Sequence, residues 1–232
     1  MNRNKRKFAI ALQLCPIVLL PLLAASSALA QTSATAPSTE AEAPQVSYIR
    51  NIIPPPVPEK LQVQAGFIAF LEGHGVGTQN YVCKPSGTGF AFVLFTPQAT
   101  LFADNDQQLT THFFSPNPFE ANTDPNVVTD RQIRVTWQDS QDSSTIWAKL
   151  DQASTDPNFV APGAVAWLLL DVVGAQEGPT GGKTLTAAKF VQRLNTSGGL
   201  APATGCSSAA DAGKEAFVPY TADYFFYKKA EN

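Results

Sequence analysis

The sequence predicts an all-β fold, a single antiparallel β-sandwich or barrel of about ten short strands with little helix. Three observations carry this. Short runs rich in Val, Phe, Tyr, Trp and Thr recur at 62–71, 79–83, 89–95, 99–103, 108–114, 132–138, 145–150, 164–173, 187–195 and 222–228. Turn-forming clusters separate them. No segment keeps a helical period for more than about three turns, and only 183–192, with Ala187-Ala188-Lys189, allows a short helix.

The turn clusters have identifiable chemistry. Gly73-His74-Gly75-Val76-Gly77 and Lys84-Pro85-Ser86-Gly87 supply glycine freedom, while Asp104-Asn105-Asp106 and Asp139-Ser140-Gln141-Asp142 supply Asx turns. Alternation is clearest near the end of the chain. Tyr220, Ala222, Tyr224 and Phe226 share one face of a strand, and Thr221, Asp223, Phe225 and Tyr227 share the other. Val165 to Val173 is almost wholly apolar, which fits a strand covered on both faces.

Residues 1–30 read as a secretory signal. Arg3, Lys5, Arg6 and Lys7 precede an apolar run from Phe8 to Leu23, and Ala28-Leu29-Ala30 precedes Gln31. Cleavage is expected between Ala30 and Gln31, because the apolar run falls short of the ~20 residues a membrane span needs. Residues 31–50, dominated in their first part by Ser, Thr, Ala, Pro and Glu, read as a disordered linker. The domain then occupies 51–232, opening with a Pro-rich arm, Ile52-Ile53-Pro54-Pro55-Pro56-Val57-Pro58, expected to pack along it. A secreted or periplasmic location follows. No second apolar stretch is long enough to span a membrane once the signal is removed.

Apolar residues form 44% of the chain, charged residues 15%, and the net charge is −3. With no basic stripe interleaved with aromatics, nucleic acid is not an expected partner. Of three cysteines, Cys15 lies in the signal, leaving Cys83 and Cys206. In an oxidising compartment such a pair reads as a disulfide; free thiols, or a metal pair completed by His74 and His112, are the alternatives.

Motifs for chemistry are sparse. Glu177 to Thr184 ends in Gly182-Lys183-Thr184 like a phosphate loop, but Glu177 stands where the first glycine belongs. Gly73, Gly75 and Gly77 lack the spacing of a dinucleotide loop. His112 is the one candidate general base, with Asp104 and Asp106 placed to orient it, yet there is no Gly-x-Ser-x-Gly elbow. His74, between glycines, reads as a solvated imidazole. Asp104 and Asp106 form only a fragment of a calcium loop. No cofactor is expected. Trp137, Trp147, Trp167 and the aromatic-rich last strand either fill a core or line a platform for a glycan or lipid. Asn195-Thr196-Ser197 fits a glycosylation acceptor.

Several stretches together resemble the DUF3455 family, a secreted domain of unknown function. They are Gly77 to Cys83, Ala164 to Leu170, Val191 to Gly199 with Ala201-Pro202 and Cys206, and Val218 to Tyr227. The resemblance spans roughly Pro54 to Lys228. It implies one all-β domain and supports joining Cys83 to Cys206, and it implies no activity. Within its motifs Gln79, Trp167, Gln192, Arg193 and Tyr220 stand out as ligand-binding candidates. Arg193 in a strand calls for a partner, either Asp223 or an acidic ligand. The leading expectation is a non-catalytic secreted or envelope protein that binds a small or polymeric ligand on an aromatic-lined surface. The rival expectations are a hydrolase using His112 and a purely structural surface protein.

Overall fold

The alternation in the last strand sets the architecture. Tyr220, Ala222, Tyr224 and Phe226 point into a closed barrel, while Phe225 and Tyr227 join a second apolar cluster on the outside. The computed structural model describes residues 52–125 and 127–231. The expected signal, its cleavage site at Ala30 and Gln31, and the linker over 31–50 lie outside the described residues.

Eight antiparallel strands follow one another around the barrel: β1 (Phe67–Ser86), β2 (Gly89–Phe102), β3 (Gln108–Ala121), β4 (Arg131–Asp139), β5 (Thr145–Ser154), β6 (Trp167–Gln176), β7 (Phe190–Gly198) and β8 (Glu215–Lys229). β8 returns to pair with β1 from Phe67↔Lys229 to Val82↔Glu215. The pairing of β8 with β1 removes the two edge strands that an open sheet would expose, the main aggregation hazard of a β protein. Two 3-10 turns, Glu59–Leu61 and Ala209–Asp211, are the only helical elements among the described residues.

Eight strands replace the ten expected because two expected breaks are not breaks. Residues 62–71 and 79–83 contribute to one strand, β1, and Gly73 to Gly77 lies inside it rather than in a turn. Glycines at every second position lie on one face of a strand, not at a corner. A Cβ on Gly75 would stand 2.7 Å from the Tyr224 ring, so the missing side chain makes room inside the barrel. Similarly, 89–95 and 99–103 are one strand, β2, carried through Pro97 with a bulge opposite Asn80 and Tyr81. No helix forms over 183–192.

The interior cluster runs from Leu101, Trp137 and Ile146 to Val191 and Phe226, each fully buried. One end is stoppered by the β6–β7 loop, which inserts Leu185 and Ala188. That loop contains the Gly182-Lys183-Thr184 motif. The Asp142 carboxylate accepts hydrogen bonds from the Thr184 backbone N–H (2.9 Å) and hydroxyl (2.8 Å). An acid thus occupies the donors that a phosphate would need.

On the outer face the Pro-rich arm lies along the barrel. Ile52, Val57, Leu61 and Val63 pack with Trp167, Leu169, Leu194, Phe225 and Tyr227. β6 is therefore covered on both faces, as its apolar sequence requires. Among the described residues no helix is long and apolar enough to cross a membrane.

Candidate functional site

At the end opposite the stopper, two adjacent strands part. β2 and β3 pair only from Ala99↔His112 to Phe102↔Gln108. Beyond that, β2 continues along β1 alone and β3 along β4 alone. Pro97, just past the last pair, has no N–H to offer the ladder. In its place the Phe114 N–H donates to the Thr96 hydroxyl at 3.1 Å. The gap opens into a cavity of about 330 Å³ within the barrel. Eight-stranded barrels have interiors that side chains just fill or that hold one small ligand. Here the filling stops short.

The apolar wall includes Leu94, Phe114, Val135, Leu168, Leu170 and Leu200. Leu94 and Leu200 are 37% and 50% exposed and form the rim. The polar wall is Gln79 and Tyr81 from β1, His112 from β3, Trp137 from β4, Arg193 from β7 and Tyr224 from β8. Strand register brings them together. His112 pairs with Ala99 and Trp137, and Arg193 with Leu168 and Tyr224.

His112 is 3% exposed and stacks on Trp137 at 4.4 Å between ring centres. Its Nδ1–H donates to the Thr136 carbonyl at 3.0 Å, which leaves Nε2 as an acceptor. Burial pulls its pKa down to about 3. The ring is then neutral at physiological pH and a weak proton acceptor, poorly suited to general-base work. Asp104 does not orient it. Asp104 and Asp223 instead grip His74, at 2.8 Å to Nε2 and 2.7 Å to Nδ1, on the outer surface. Hydrogen bonds to Asp223 and Asp104 raise the His74 pKa, so this imidazole is clasped rather than free.

Arg193 departs from expectation too. Its Nε and Nη2 donate to the Ala166 carbonyl at 3.2 and 2.8 Å. Asp223 is on the opposite face of the sheet, where it also accepts from the Asn195 amide at 2.8 Å. Among the described residues no carboxylate lies within ion-pair distance of Arg193. Its charge draws down the otherwise raised pKa values of Tyr81 and of its cross-strand neighbour Tyr224.

The other candidates are distributed as follows. Gln79 lines the cavity. Tyr220 sits behind it, 3% exposed, its hydroxyl 3.0 Å from that of Tyr224. Gln192 and Trp167 lie on the outer face beneath the arm. The Gln192 amide donates to the Leu61 carbonyl at 2.6 Å and accepts from the Tyr227 hydroxyl, anchoring the arm. Trp167 packs edge-on against Phe159. Asn195, the expected glycan acceptor, has its amide engaged by Asp223. Tyr81, Trp137 and Tyr224 are also cavity residues; the sequence offered Trp137 and Tyr224 only among aromatics that fill a core or line a platform, and Tyr81 not at all. The alternation of β8, which puts Tyr224 on the face of Tyr220, was the signal that could have found Tyr224.

Cys83 and Cys206 are joined in a disulfide, with Cα atoms 5.5 Å apart. This excludes the free-thiol and metal readings for that pair. The bridge ties the segment after β7 to β1 beside the cavity mouth. The Tyr81 hydroxyl donates to the Gly199 carbonyl at 2.5 Å, next to Leu200 on the rim.

Residues 65–228 match the model of a family described as protein of unknown function (DUF3455). Searches of curated proteins and of solved structures each return no match.

Proposed function

Since the chain belongs to the DUF3455 family, whose description assigns no activity, we propose from its geometry that it is an exported, non-catalytic protein that binds one small, mainly apolar molecule inside its barrel. The observation that carries this is the cavity where β2 and β3 part. It is apolar over most of its wall and reached past an exposed leucine rim. Its volume is at the lower end of the range for small-molecule sites. Divided by the ~30 Å³ that a water occupies in the liquid, it takes a ligand of about ten heavy atoms. The disulfide between Cys83 and Cys206 supports export to an oxidising compartment.

An unmet polar group points the same way. The indole N–H of Trp137, in the cavity wall, is buried without a hydrogen-bond partner. Native structures tolerate few such groups and each calls for an explanation, which an acceptor on a bound molecule would supply here. A glycan would require many more polar partners than this wall offers, so a lipid-like or small aromatic molecule suits it better.

1-Octanol is a suitable probe. Burying its chain is worth about 6 kcal/mol at ~0.8 kcal/mol per methylene, of which association consumes several. Titration calorimetry is expected to show saturable binding at one site. Val135→Phe, which fills the cavity from β4, is expected to weaken it by about ten-fold or more, the cost of losing roughly two methylenes of contact. Unchanged affinity in a folded Val135→Phe protein would exclude the cavity as the site.

A further inference from the structure

We propose that the ligand of this cavity is a carboxylate, with an apolar body along the leucine and phenylalanine wall and its charged end at Arg193. The inference rests on the cavity being a ligand site and adds the chemical class.

Among the described residues Arg193 is the only cation in the cavity lining, and no acid lines it. His112 is neutral, and the Tyr81 and Tyr224 phenols keep their protons because burial raises their pKa values. The strand partners of Arg193, Leu168 and Tyr224, bring no negative charge. Its hydrogen-bonded partners are neutral: the Ala166 carbonyl takes Nε and Nη2 on one edge of the guanidinium, and the Tyr224 phenol lies beside it. A half-buried arginine beside an apolar cavity, held in place but not neutralised, fits a planar anion. The acids that might have neutralised it are turned away: Asp223 is bound to His74 and Asn195 on the outer face. The unpartnered N–H of Trp137 belongs to the same wall and gives an acceptor ligand a second donor beside Arg193.

Arg193 also has a structural duty, bracing the Ala166 carbonyl just before β6. Anchoring alone would be served by any donor and implies no preference among ligands of one length. Charge recognition implies a clear one.

The test compares octanoate, 1-octanol and octylammonium at pH 7.5 by calorimetry, on the intact disulfide-bonded protein. Octanoate is expected to bind about ten-fold or more tighter than 1-octanol, the factor for one hydrogen bond to a charged group, and octylammonium least well. In Arg193→Gln the octanoate advantage is expected to fall to about one-fold while 1-octanol binding persists. Arg193→Lys, which keeps the charge, is expected to retain part of it, and serves if Arg193→Gln does not fold. If octanoate and 1-octanol bind wild type equally, and Val135→Phe blocks both, the carboxylate proposal fails while the cavity reading stands. A preference for octanoate that survives Arg193→Gln also overturns it. If none of the three binds, both fail.

Discussion

Replacing Cys83 and Cys206 together by serine is expected to lower the folding free energy by about 4–5 kcal/mol. The bridge spans 123 residues, from the end of β1 to the loop before β8. In the chain-entropy picture a closed loop of that length removes close to 5 kcal/mol of disorder from the unfolded chain, and removal of native bridges costs about 2–5 kcal/mol in practice. The fold adds a local reason for the upper part of that range. The segment after β7 has little regular structure of its own. It is held to β1 by the bridge, by Cys83 N–H to the Lys214 carbonyl (2.8 Å) and by Gly213 N–H to the Cys83 carbonyl (2.9 Å). Urea unfolding of the wild type with and without reductant, beside the double variant, measures the effect. Midpoints that coincide would mean the bridge constrains nothing that folding must order.

Gly77→Ala is expected to cost about 3 kcal/mol, at the usual limit for overpacking. Gly77 faces Ala99 across the β1–β2 ladder. A Cβ there would come within 2.5 Å of the Ala99 Cα and 2.7 Å of its Cβ. The obstruction is largely backbone, so relief requires β1 and β2 to separate. Gly75→Ala is the matched comparison. Its Cβ meets chiefly the Tyr224 ring, a side chain rather than backbone, so a smaller loss is expected. Denaturation midpoints that rank Gly75→Ala as the more damaging would contradict this account of the strand contact.

These glycines show how much of the fold was legible. Alternation in β8 and the apolar run of β6 identified an all-β domain, because a two-residue period survives in the sequence whatever the strands pair with. The strand count came out at ten because glycine and proline were read as punctuation. Gly73, Gly75 and Gly77 are instead the interior face of a strand where Tyr224 and neighbouring strands approach too closely for a side chain. Pro97 marks the point where β2 leaves β3, not the end of β2.

The site was legible in its residues more than in its arrangement. Arg193 and Gln79 stood out as polar groups within strands, and both line the cavity. Asp223 was read as the partner of Arg193, but register decides otherwise. Arg193 pairs with Tyr224, whereas Asp223 pairs with Leu194 and faces outward. Such facing depends on how β7 and β8 align, and the bulge between Leu194 and Ser197 is not visible in the residues themselves. Gln192, next to Arg193, faces the arm for the same reason. The cavity was beyond reach for another cause. It exists because two strands that pair for part of their length diverge, and no single segment carries that information.

The most direct measurement of the central claim is the indole N–H spectrum of the protein during titration with octanoate. The three tryptophans report separate places: Trp137 in the cavity wall, Trp147 on β5 with its N–H donated to the Ser115 hydroxyl at 2.8 Å, and Trp167 beneath the arm on the outer face. The account predicts that the Trp137 resonance shifts saturably while those of Trp147 and Trp167 hold still. A saturable shift confined to Trp147 or Trp167, with Trp137 unmoved, would place the ligand outside the barrel and contradict it.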